Sequence, residues 1–553
     1  METGRADKKP QIIPVCLRFK GHSINCNPPE VTFRLFQDLA PFIFESACGE
    51  NKEAKYSLIG LNPVLRIKAE PGNQTTVSGL KRYTRTLMPL FMNSKACSIP
   101  RSCDPGSSQD KKRECFLDPF ISGFSHEGHD LCNDSEIITF TDPDPISKIH
   151  QIMDLFEFED SQIPGYQGGL TGYFSYDLVY SLFETVNTDK AESKFPLADF
   201  IMTSEYILYD HPAEEVYIFS LALVTDRDDA ERVTEDARLK VRKISEKMQE
   251  YTNENVADPG EGIELRDKTT EFQNLKYCEN LSKGDYEDLV RKTKEYIFSG
   301  EIFQGVISKR NECRYEDDPF LIYSALRRIN PGPYMYYINY VERQIAGSSP
   351  EMLVKVENNQ VTTVPIAGTG KRGHSPEEDE KLGTELLSDE KECAEHLMLV
   401  DLARNDLGRV CEYGTVHVDE FMKIEKFSHV QHIVSRVSGD LKNHLTPADA
   451  FKSCFPAGTL TGAPKIRAMQ IIDELESERR GLYGGAVGHI GLDRKTDFAI
   501  AIRTLVCEDG RLTFQAGAGI VADSDPEKEY EESEKKACAI ADAISIAKGG
   551  HSL

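Results

Sequence analysis

Two acidic segments far apart in the chain have the residue types and the spacing of a cation site. Glu392 and Glu395 stand three residues apart. Glu529 and Glu532 repeat that spacing. On a helix such neighbours share a face, with Cβ atoms about 5–6 Å apart. Oxygen ligands without nearby His or Cys suit Mg²⁺, which keeps part of its water shell and completes it with an anionic substrate. Together the segments predict a magnesium site, although each alone also fits a solvated helix face.

A second set of residues suggests a site for a carboxylate. Residues 517–519 are Gly-Ala-Gly and follow a predicted strand over 512–515, so their backbone N–H groups can form an anion-binding nest. Arg503 follows an apolar run over 499–502, which predicts a strand end where its planar guanidinium faces a pocket. A structural ion pair is the alternative for Arg503. An anionic substrate would therefore meet both a metal and a carboxylate site.

The composition limits the partners and the compartment. The chain has 553 residues, of which 28% are charged, and a formal net charge of −26. This length is enough for several packed layers, and the negative field disfavours nonspecific binding to nucleic acid or to an anionic membrane. No apolar run reaches the length of a membrane span, and residues 1–7 lack the apolar stretch of a signal peptide. We predict a cytoplasmic protein with neither nucleic acid nor membrane as a partner.

The chain divides into two regions. Up to residue 251, short apolar strands mix with amphipathic helices, of which the clearest covers 231–251; this is an α+β pattern. A polar segment over 252–262 is the predicted boundary between an amino-terminal subdomain, 1–251, and a catalytic domain, 263–553. The stretch at about 93–135, rich in Ser, Pro, Gly and charge, is predicted to be a disordered surface insertion whose cysteines match no metal motif.

The second region contains the elements that must position the acidic residues. A long helix is predicted to begin near Ser388 and to carry Glu392 and Glu395 away from its buried face. That buried face is predicted to consist of Leu397, Val400, Leu402 and Leu407. Strands are predicted over 303–308, 334–339 and 361–364.

Taken together, these segments resemble the chorismate-utilising enzymes. The segments that carry the resemblance are residues 44–46, 56–60, 168–173, 301–304, 365–369, 401–409, 458–465, 483–488 and 515–521. They extend over nearly the whole chain, and the likeness is closest to the large subunits of anthranilate synthase. The resemblance implies an α+β fold of two packed antiparallel sheets flanked by helices, with two intertwined subdomains. It also implies a Mg²⁺-dependent addition of ammonia to chorismate, followed by loss of pyruvate to give anthranilate, the first step of tryptophan biosynthesis.

The resemblance gives roles to individual residues. The implied catalytic residues are Glu351, as the acid that assists departure of the C4 hydroxyl, His432, Gln304 and Lys536. The implied substrate contacts are Thr459, Tyr483, Arg503, Gly517, Ala518, Gly519, Ala367, Gly368 and Thr369. Glu395 and Glu532 are the implied Mg²⁺ ligands, with Glu392 and Glu529 nearby. Without the resemblance, His432 fits a satisfied core histidine as well as a catalytic one.

Two positions bear on the nucleophile and the product. Gln304 stands where related isochorismate and salicylate synthases carry a lysine that activates water, and a glutamine cannot act as that base. Ammonia is therefore the expected nucleophile. Ala367 stands where many aminodeoxychorismate synthases carry a lysine, which favours anthranilate as the product. An aminodeoxychorismate synthase component is the alternative, because some of those enzymes lack the lysine too. A catalytically silent, tryptophan-binding regulatory paralogue is a second alternative.

The resemblance also implies an inhibitor and a partner. Glu45 and Ser46, with Pro333, Tyr334 and Met335, resemble the segments that enclose feedback-inhibiting L-tryptophan. Glu45 and Ser46 would hold the ammonium of the inhibitor, and the other three residues would line an apolar wall. An ordinary core contact between strands is the alternative. The chain has no Gly-x-Cys-x-Gly nucleophile elbow, so ammonia is expected from a separate glutamine amidotransferase subunit.

Overall fold

The structure, a computed structural model, describes most of the chain. The described residues are 9–20, 28–46, 55–91, 135–159, 161–186, 189–191, 193, 195–226, 228–251, 277–373, 375–427 and 430–549. The predicted boundary at 252–262 and the predicted insertion at 93–135, apart from Ser135, lie outside these residues. Both therefore stay predictions.

The helices of the described part are distributed along the whole chain. They are α1 (Pro29–Leu35), α2 (Lys81–Phe91), α3 (Pro145–Met153), α4 (Val179–Leu182), α5 (Ala230–Tyr251), α6 (Lys283–Phe298), α7 (Phe320–Ile329), α8 (Pro376–Leu387), α9 (Glu390–Val410), α10 (Pro447–Cys454), α11 (Gly458–Thr461), α12 (Lys465–Leu475) and α13 (Pro526–Gly549), with a 3-10 helix at Tyr176–Leu178. None of these helices combines the length and the apolar composition needed to cross a bilayer.

The strands alternate with these helices. They are β1 (Gln11–Lys20), β2 (Phe42–Glu45), β3 (Tyr56–Glu70), β4 (Gln74–Leu80), β5 (Ser135–Thr141), β6 (Glu157–Phe158), β7 (Gly169–Phe174), β8 (Ala198–Asp210), β9 (Glu215–Val224), β10 (Cys278–Glu279), β11 (Gln304–Arg314), β12 (Tyr334–Asn339), β13 (Arg343–Ser349), β14 (Met352–Glu357), β15 (Gln360–Thr363), β16 (Ile366–Lys371), β17 (His417–Lys426), β18 (Val430–Asp440), β19 (Gly462–Ala463), β20 (Ala486–Gly491), β21 (Thr496–Ile500), β22 (Thr504–Glu508) and β23 (Arg511–Ile520).

Two long paired strands, β3 and β8, are the point from which the sheet extends in two directions. One arm continues from β3 through β2, β12, β13, β22 and β23 to β11. The other continues from β8 through β7, β20, β21, β14 and β15 to β18. All of these pairs are antiparallel. Each arm joins a strand from before residue 251 to strands from the second region, as β2 pairs with β12 and β7 with β20.

The two arms pack against each other through one hydrophobic core. Tyr173 from one arm packs edge-to-face on Tyr340, which follows β12 in the other arm, with ring centroids 5.7 Å apart, and both belong to one buried cluster. A second cluster, on the outer face of the β11 arm, buries α7 and α13 against Met335 and neighbouring residues. Because each sheet is buried on its inner face and covered by helices on its outer face, the strands carry long apolar runs.

Helix α9 begins where the sequence predicts, but its buried face differs from the prediction. The carboxylate of Asp389 caps it by accepting hydrogen bonds from the N–H groups of Lys391 and Glu392. Leu397 is 46% exposed, so its assignment to the core is wrong. The residues that pack are Leu399, Val400, Ala403, Leu407 and Val410, with His396. Val400 and Leu407 are buried as predicted, and Leu402 is half-buried. Glu392 and Glu395 are half-buried on the same helix.

Candidate active site

Glu351 is a buried carboxyl at the turn between β13 and β14. It is 7% exposed, and its Oε1 accepts a hydrogen bond of 3.0 Å from the hydroxyl of Thr459 in α11. Burial raises the pKa of Glu351 to about 8, although the Thr459 hydroxyl, Lys536 and Arg503 each act to lower it. A carboxyl with this pKa carries a proton at neutral pH and can act as a general acid.

His432 lies in β18 beside the strand β16. Its Nδ1 is 2.8 Å from the carbonyl oxygen of Gly368 and 3.3 Å from the hydroxyl of Thr369. Burial lowers the pKa of His432 to about 4, so the ring is neutral at pH 7. A carbonyl oxygen can only accept, so Nδ1 carries the proton and donates it to Gly368. Nε2 is left with a lone pair and can accept a proton.

Two cationic side chains lie near both of these groups. Arg503 connects β21 to β22 with φ +48°, a left-handed conformation that costs a residue with a side chain about 1 kcal/mol or more. Its guanidinium makes no hydrogen bond or salt bridge to the described residues, so the alternative of a structural ion pair is not observed there. Lys536 donates to the carbonyl oxygen of Gly517 at 3.2 Å. Both cations lower the pKa values of Glu351 and His432, and both suit an anionic ligand.

The predicted metal residues come from α9 and α13. Burial raises the pKa of Glu395 to about 7, and the charges of Glu392, Glu529 and Glu532 add to this effect. Burial also raises the pKa values of Glu392 and Glu529. This mutual repulsion shows that the two acidic segments face each other, as their spacing predicts.

Two lysines neutralise part of this acidic set. Lys536 lies 2.7 Å from Glu532, and Lys391 lies 3.9 Å from Glu395. Among the described residues, no three His, Cys, Asp or Glu side chains form a ready-made metal cage. The oxygen-only donors and their repulsion nevertheless fit Mg²⁺, which needs few protein ligands and retains waters.

The segment that contains Ala367, Gly368 and Thr369 connects His432 to the acidic residues. Gly368 has φ +66°, and a Cβ there would lie 3.3 Å from Oε2 of Glu392. The N–H of Thr369 donates a hydrogen bond to Glu392. Glycine thus permits the close approach that brings the predicted catalytic histidine and the predicted metal residues together.

The predicted backbone nest is wrong in its local structure. Residues 517–519 do not follow a strand but lie within β23, paired with β11. A Cβ on Gly517 would lie 2.3 Å from the carbonyl oxygen of Ile307. A glycine at this position therefore allows β23 and β11 to approach closely. The N–H of Ala518 donates to the hydroxyl of Tyr286 at 3.2 Å.

Gln304 and Tyr483 also lie at this end of β23. A Cβ on Gly519 would lie 2.7 Å from Nε2 of Gln304. The Oε1 of Gln304 is buried and has no partner among the described residues. Tyr483 is buried with its ring 5.6 Å from the guanidinium of Arg480, and burial raises its pKa. Gln304 and Tyr483 thus lie beside the β23 segment that contains Gly517, Ala518 and Gly519.

The predicted tryptophan residues lie on the neighbouring strands β2 and β12, where Glu45 pairs with Met335. The Glu45 carboxylate accepts hydrogen bonds from the Tyr323 hydroxyl at 2.5 Å and from Nε of Arg327 at 3.0 Å. This pairing inside the fold fits the alternative of a core contact, and the role of Glu45 toward the inhibitor's ammonium stays a prediction.

Ser46 and Tyr334 point to the opposite face of these strands, because side chains alternate along a strand. Tyr334 is half-buried there, Pro333 is half-buried just before β12 begins, and Met335 is fully buried. The hydroxyl of Tyr334 donates to Asp497 at 3.1 Å, and burial raises the pKa of Asp497 to about 6. The sequence reasoning did not single out Asp497, which supplies a carboxylate on this face; its position in an alternating strand was the only signal.

Glu476 and Arg480 are further charged residues that the sequence reasoning missed. They are buried next to Tyr483 and form an ion pair of 2.7 Å. Their spacing of four residues was a visible signal, but that spacing is typical of pairs on exposed helix surfaces.

The chain has relatives over most of its length. Residues 109–542 match the family of chorismate binding enzymes. The chain is 45% identical over 414 residues to anthranilate synthase component 1 of Aquifex aeolicus, covering 74% of this chain and 81% of that protein. It is 42% identical over 468 residues to anthranilate synthase component 1 of Acetivibrio thermocellus, covering 84% of this chain and 92% of that protein.

Solved structures show the same fold. Anthranilate synthase component I from Streptococcus pneumoniae matches with a TM-score of 0.66 and 32% identity, covering 89% of this chain and 94% of that one. The menaquinone-specific isochorismate synthase of Escherichia coli matches in fold, with a TM-score of 0.62, 15% identity and coverage of 98% and 96%. The predicted fold class is confirmed.

Proposed function

Because the chain belongs to the chorismate-binding enzyme family, we propose that it is the catalytic subunit that converts chorismate and ammonia to anthranilate, pyruvate and water. The buried, protonated Glu351 carries this proposal, since it lies among two cations and a neutral histidine. Relatives named anthranilate synthase component 1 support it. The proposed compartment is the cytoplasm, and the division into 1–251 and 263–553 stays a prediction.

The side chains have complementary tasks in this reaction. Arg503 and Lys536 bind carboxylates of chorismate, with Thr459 and Tyr483 packing against it. Glu351 gives its proton to the C4 hydroxyl, which leaves as water while ammonia adds at C2. Nε2 of His432 then accepts the proton that must leave as pyruvate is eliminated and the ring becomes aromatic.

We assign Mg²⁺ to the facing acidic residues of α9 and α13. Glu395 and Glu532 would be its ligands, with Glu392 and Glu529 beside them. When bound, the ion neutralises a substrate carboxylate. The oxygen-only donor set supports this assignment, as do the pKa values of Glu392, Glu395 and Glu529, which burial raises.

The proposal is tested by identifying the product. The purified chain is incubated with chorismate, Mg²⁺ and ammonium, and the product is analysed by fluorescence and chromatography. Anthranilate would support the proposal, and 4-amino-4-deoxychorismate would overturn the choice based on Ala367. Absence of turnover, even with a glutamine amidotransferase subunit present, would favour the regulatory paralogue. The proposed partner is that subunit, so glutamine should replace ammonium only when it is added.

Activity is expected to fall as the pH rises through about 8, because the pKa of Glu351 lies there and only its protonated form is an acid. The Thr459 hydroxyl stabilises the carboxylate, so Thr459→Val should raise this pKa and move the alkaline limb of kcat/KM upward by about one pH unit. The measurement is kcat/KM against pH at a constant concentration of free NH₃. A limb at the same pH in both proteins would contradict the assignment of Glu351.

We also propose that L-tryptophan inhibits the enzyme at the face of β2 and β12 to which Ser46 and Tyr334 point, with Pro333 beside it. Met335 packs behind this wall, and Glu45 holds β2 in place through Arg327. Inhibition requires tryptophan to bind one arrangement of the chain better than another. Asp497, on the same face, is the carboxylate that suits the inhibitor's ammonium.

Ser46→Ala is expected to raise the inhibition constant of tryptophan about 3- to 10-fold, the value of one lost hydrogen bond. Inhibition curves of anthranilate formation measure this change. Ser299→Ala, an exposed serine at the end of α6, is the matched control and should leave the curve where it is. An unaltered inhibition curve in Ser46→Ala would contradict the proposal that tryptophan binds at this face.

A further inference from the structure

The buried guanidinium of Arg480 connects separate backbone segments around the candidate site, and we call this group of contacts the junction. Arg480 is 2% exposed. Its Nη1 donates to the carbonyl oxygen of Leu460 at 2.7 Å, and its Nη2 donates to that of Val306 at 2.8 Å. Nε and Nη2 also donate to the two carboxylate oxygens of Glu476, at 2.9 and 2.7 Å. An arginine is suited to this position because its planar fork directs donors along several fixed directions.

The partners of this junction belong to the segments that carry the proposed substrate contacts. Leu460 follows Thr459, and Val306 lies two residues after Gln304. Arg480 itself precedes Tyr483 by three residues and lies over the ring of that tyrosine.

Two further contacts extend the junction. Oε1 of Glu476 accepts hydrogen bonds from the N–H and the hydroxyl of Ser308, at 2.8 and 2.9 Å. The carbonyl oxygen of Arg480 accepts one from the Gln515 side chain at 2.8 Å, two residues before Gly517. One ion pair therefore joins α11, β11, β23 and the loop of Tyr483.

We infer that Glu476 and Arg480 are positioning residues, which hold Thr459, Gln304, Tyr483 and Gly517 in the relative placement that the substrate requires. This inference rests on the proposed function. The positioning extends to the acid as well. Arg480 holds Leu460, the preceding residue is Thr459, and the Thr459 hydroxyl donates to Glu351.

Stability alone does not explain this pair. Desolvation of two charges offsets much of their attraction, and uncharged residues of similar volume often serve a core equally well. Uncharged residues could not replace the pair in fixing the geometry of its neighbours. An uncharged side chain cannot hold two carbonyl oxygens and a carboxylate in fixed directions. A misplacement of about 1 Å in a catalytic site can cost about 100-fold in rate.

The test uses the double variant Glu476→Gln/Arg480→Met in the full chain. It removes both charges together, so no unpaired charge is buried, and the glutamine oxygen can still accept from Ser308. We expect a folded protein whose kcat/KM for chorismate is about 100-fold lower. The alkaline limb of its pH profile should move upward, as in Thr459→Val, because Thr459 is displaced from Glu351. Circular dichroism and the Tm report the fold.

Arg480→Lys is the second variant, and it keeps the charge. Lysine has one nitrogen in place of the fork, so it should also lose about 10-fold or more in kcat/KM. The control is Glu235→Gln/Arg238→Met, an exposed pair of 3.0 Å on α5, which should stay within about twofold of wild type.

The outcomes separate the two proposals. If the wild type and the control form no anthranilate, the proposed function fails. If both are active and a folded Glu476→Gln/Arg480→Met protein keeps its kcat/KM within about threefold with an unmoved pH limb, the positioning role is overturned. If kcat/KM and the pH limb are unchanged but the Tm of the double variant is lower, the pair contributes to stability alone.

Discussion

Glu351→Gln is expected to lower kcat for anthranilate formation about 10³-fold, the contribution of a well-placed general acid. The amide has nearly the shape of the carboxyl and can still accept the hydrogen bond from Thr459, but it has no proton to give to the departing hydroxyl. Arg503 and Tyr483 are untouched, so KM for chorismate should change much less than kcat. Initial rates at saturating Mg²⁺ and fixed ammonia give both constants.

The matched comparison is Thr459→Val, which leaves the acid in place. It should shift the pH profile while retaining most of kcat at low pH. Glu351→Gln should instead be slow at every pH, because no titrating acid is left. A glutamine variant within about tenfold of the wild-type kcat would contradict the role of Glu351 as the acid.

Local patterns in the sequence predicted the elements well. The helix predicted over 231–251 corresponds to α5, and the strand predicted over 334–339 corresponds to β12. Spacing of three residues placed Glu392 and Glu395 on one helix face, as α9 has them. These features depend on periodicity over a few residues, which a single segment contains in full.

The errors arose where distant residues decide the local outcome. The backbone of residues 517–519 continues as a strand because Ile307 approaches it closely, and that neighbour lies far away in the chain. The role of Glu45 toward tryptophan stays a prediction, but its ion pair with Arg327, 282 positions away, was likewise not visible in the sequence. Leu397 is exposed although Val400 and Leu407 of the same predicted face are buried, because the partners of α9 decide which of its apolar residues pack.

The junction at Arg480 could not be recognised from the sequence for the same reason. Glu476 and Arg480 are four positions apart, and this spacing usually means an exposed pair of little energetic value. Its burial and its two carbonyl partners, Leu460 and Val306, depend on how α11 and β11 meet. The glycines and the acidic residues pointed to the site, but the side chains that hold it together are visible only in the fold.

Glu395→Gln is expected to remove Mg²⁺-dependent activity, lowering kcat/KM for chorismate about 10³-fold, as expected for the several kcal/mol that a bound metal ion contributes. Glu395 lies within a set of mutually repelling carboxylates on α9 and α13, so an uncharged amide should not lower the Tm of the metal-free protein. Calorimetric titration with Mg²⁺ should show weaker binding, and a chelator should reduce the wild type to the activity of the variant.

The control for this change is Glu531→Gln. Glu531 neighbours Glu532 on α13 and is similarly exposed, but it pairs with Lys535 at 3.9 Å, whereas Glu532 pairs with Lys536. It should bind Mg²⁺ and turn over chorismate as the wild type does, since a surface pair contributes less than about 1 kcal/mol. Equal losses in both variants would mean that the helix as a whole, and not the face carrying Glu395 and Glu532, determines metal binding. Undiminished Mg²⁺ dependence in Glu395→Gln would place the ion elsewhere.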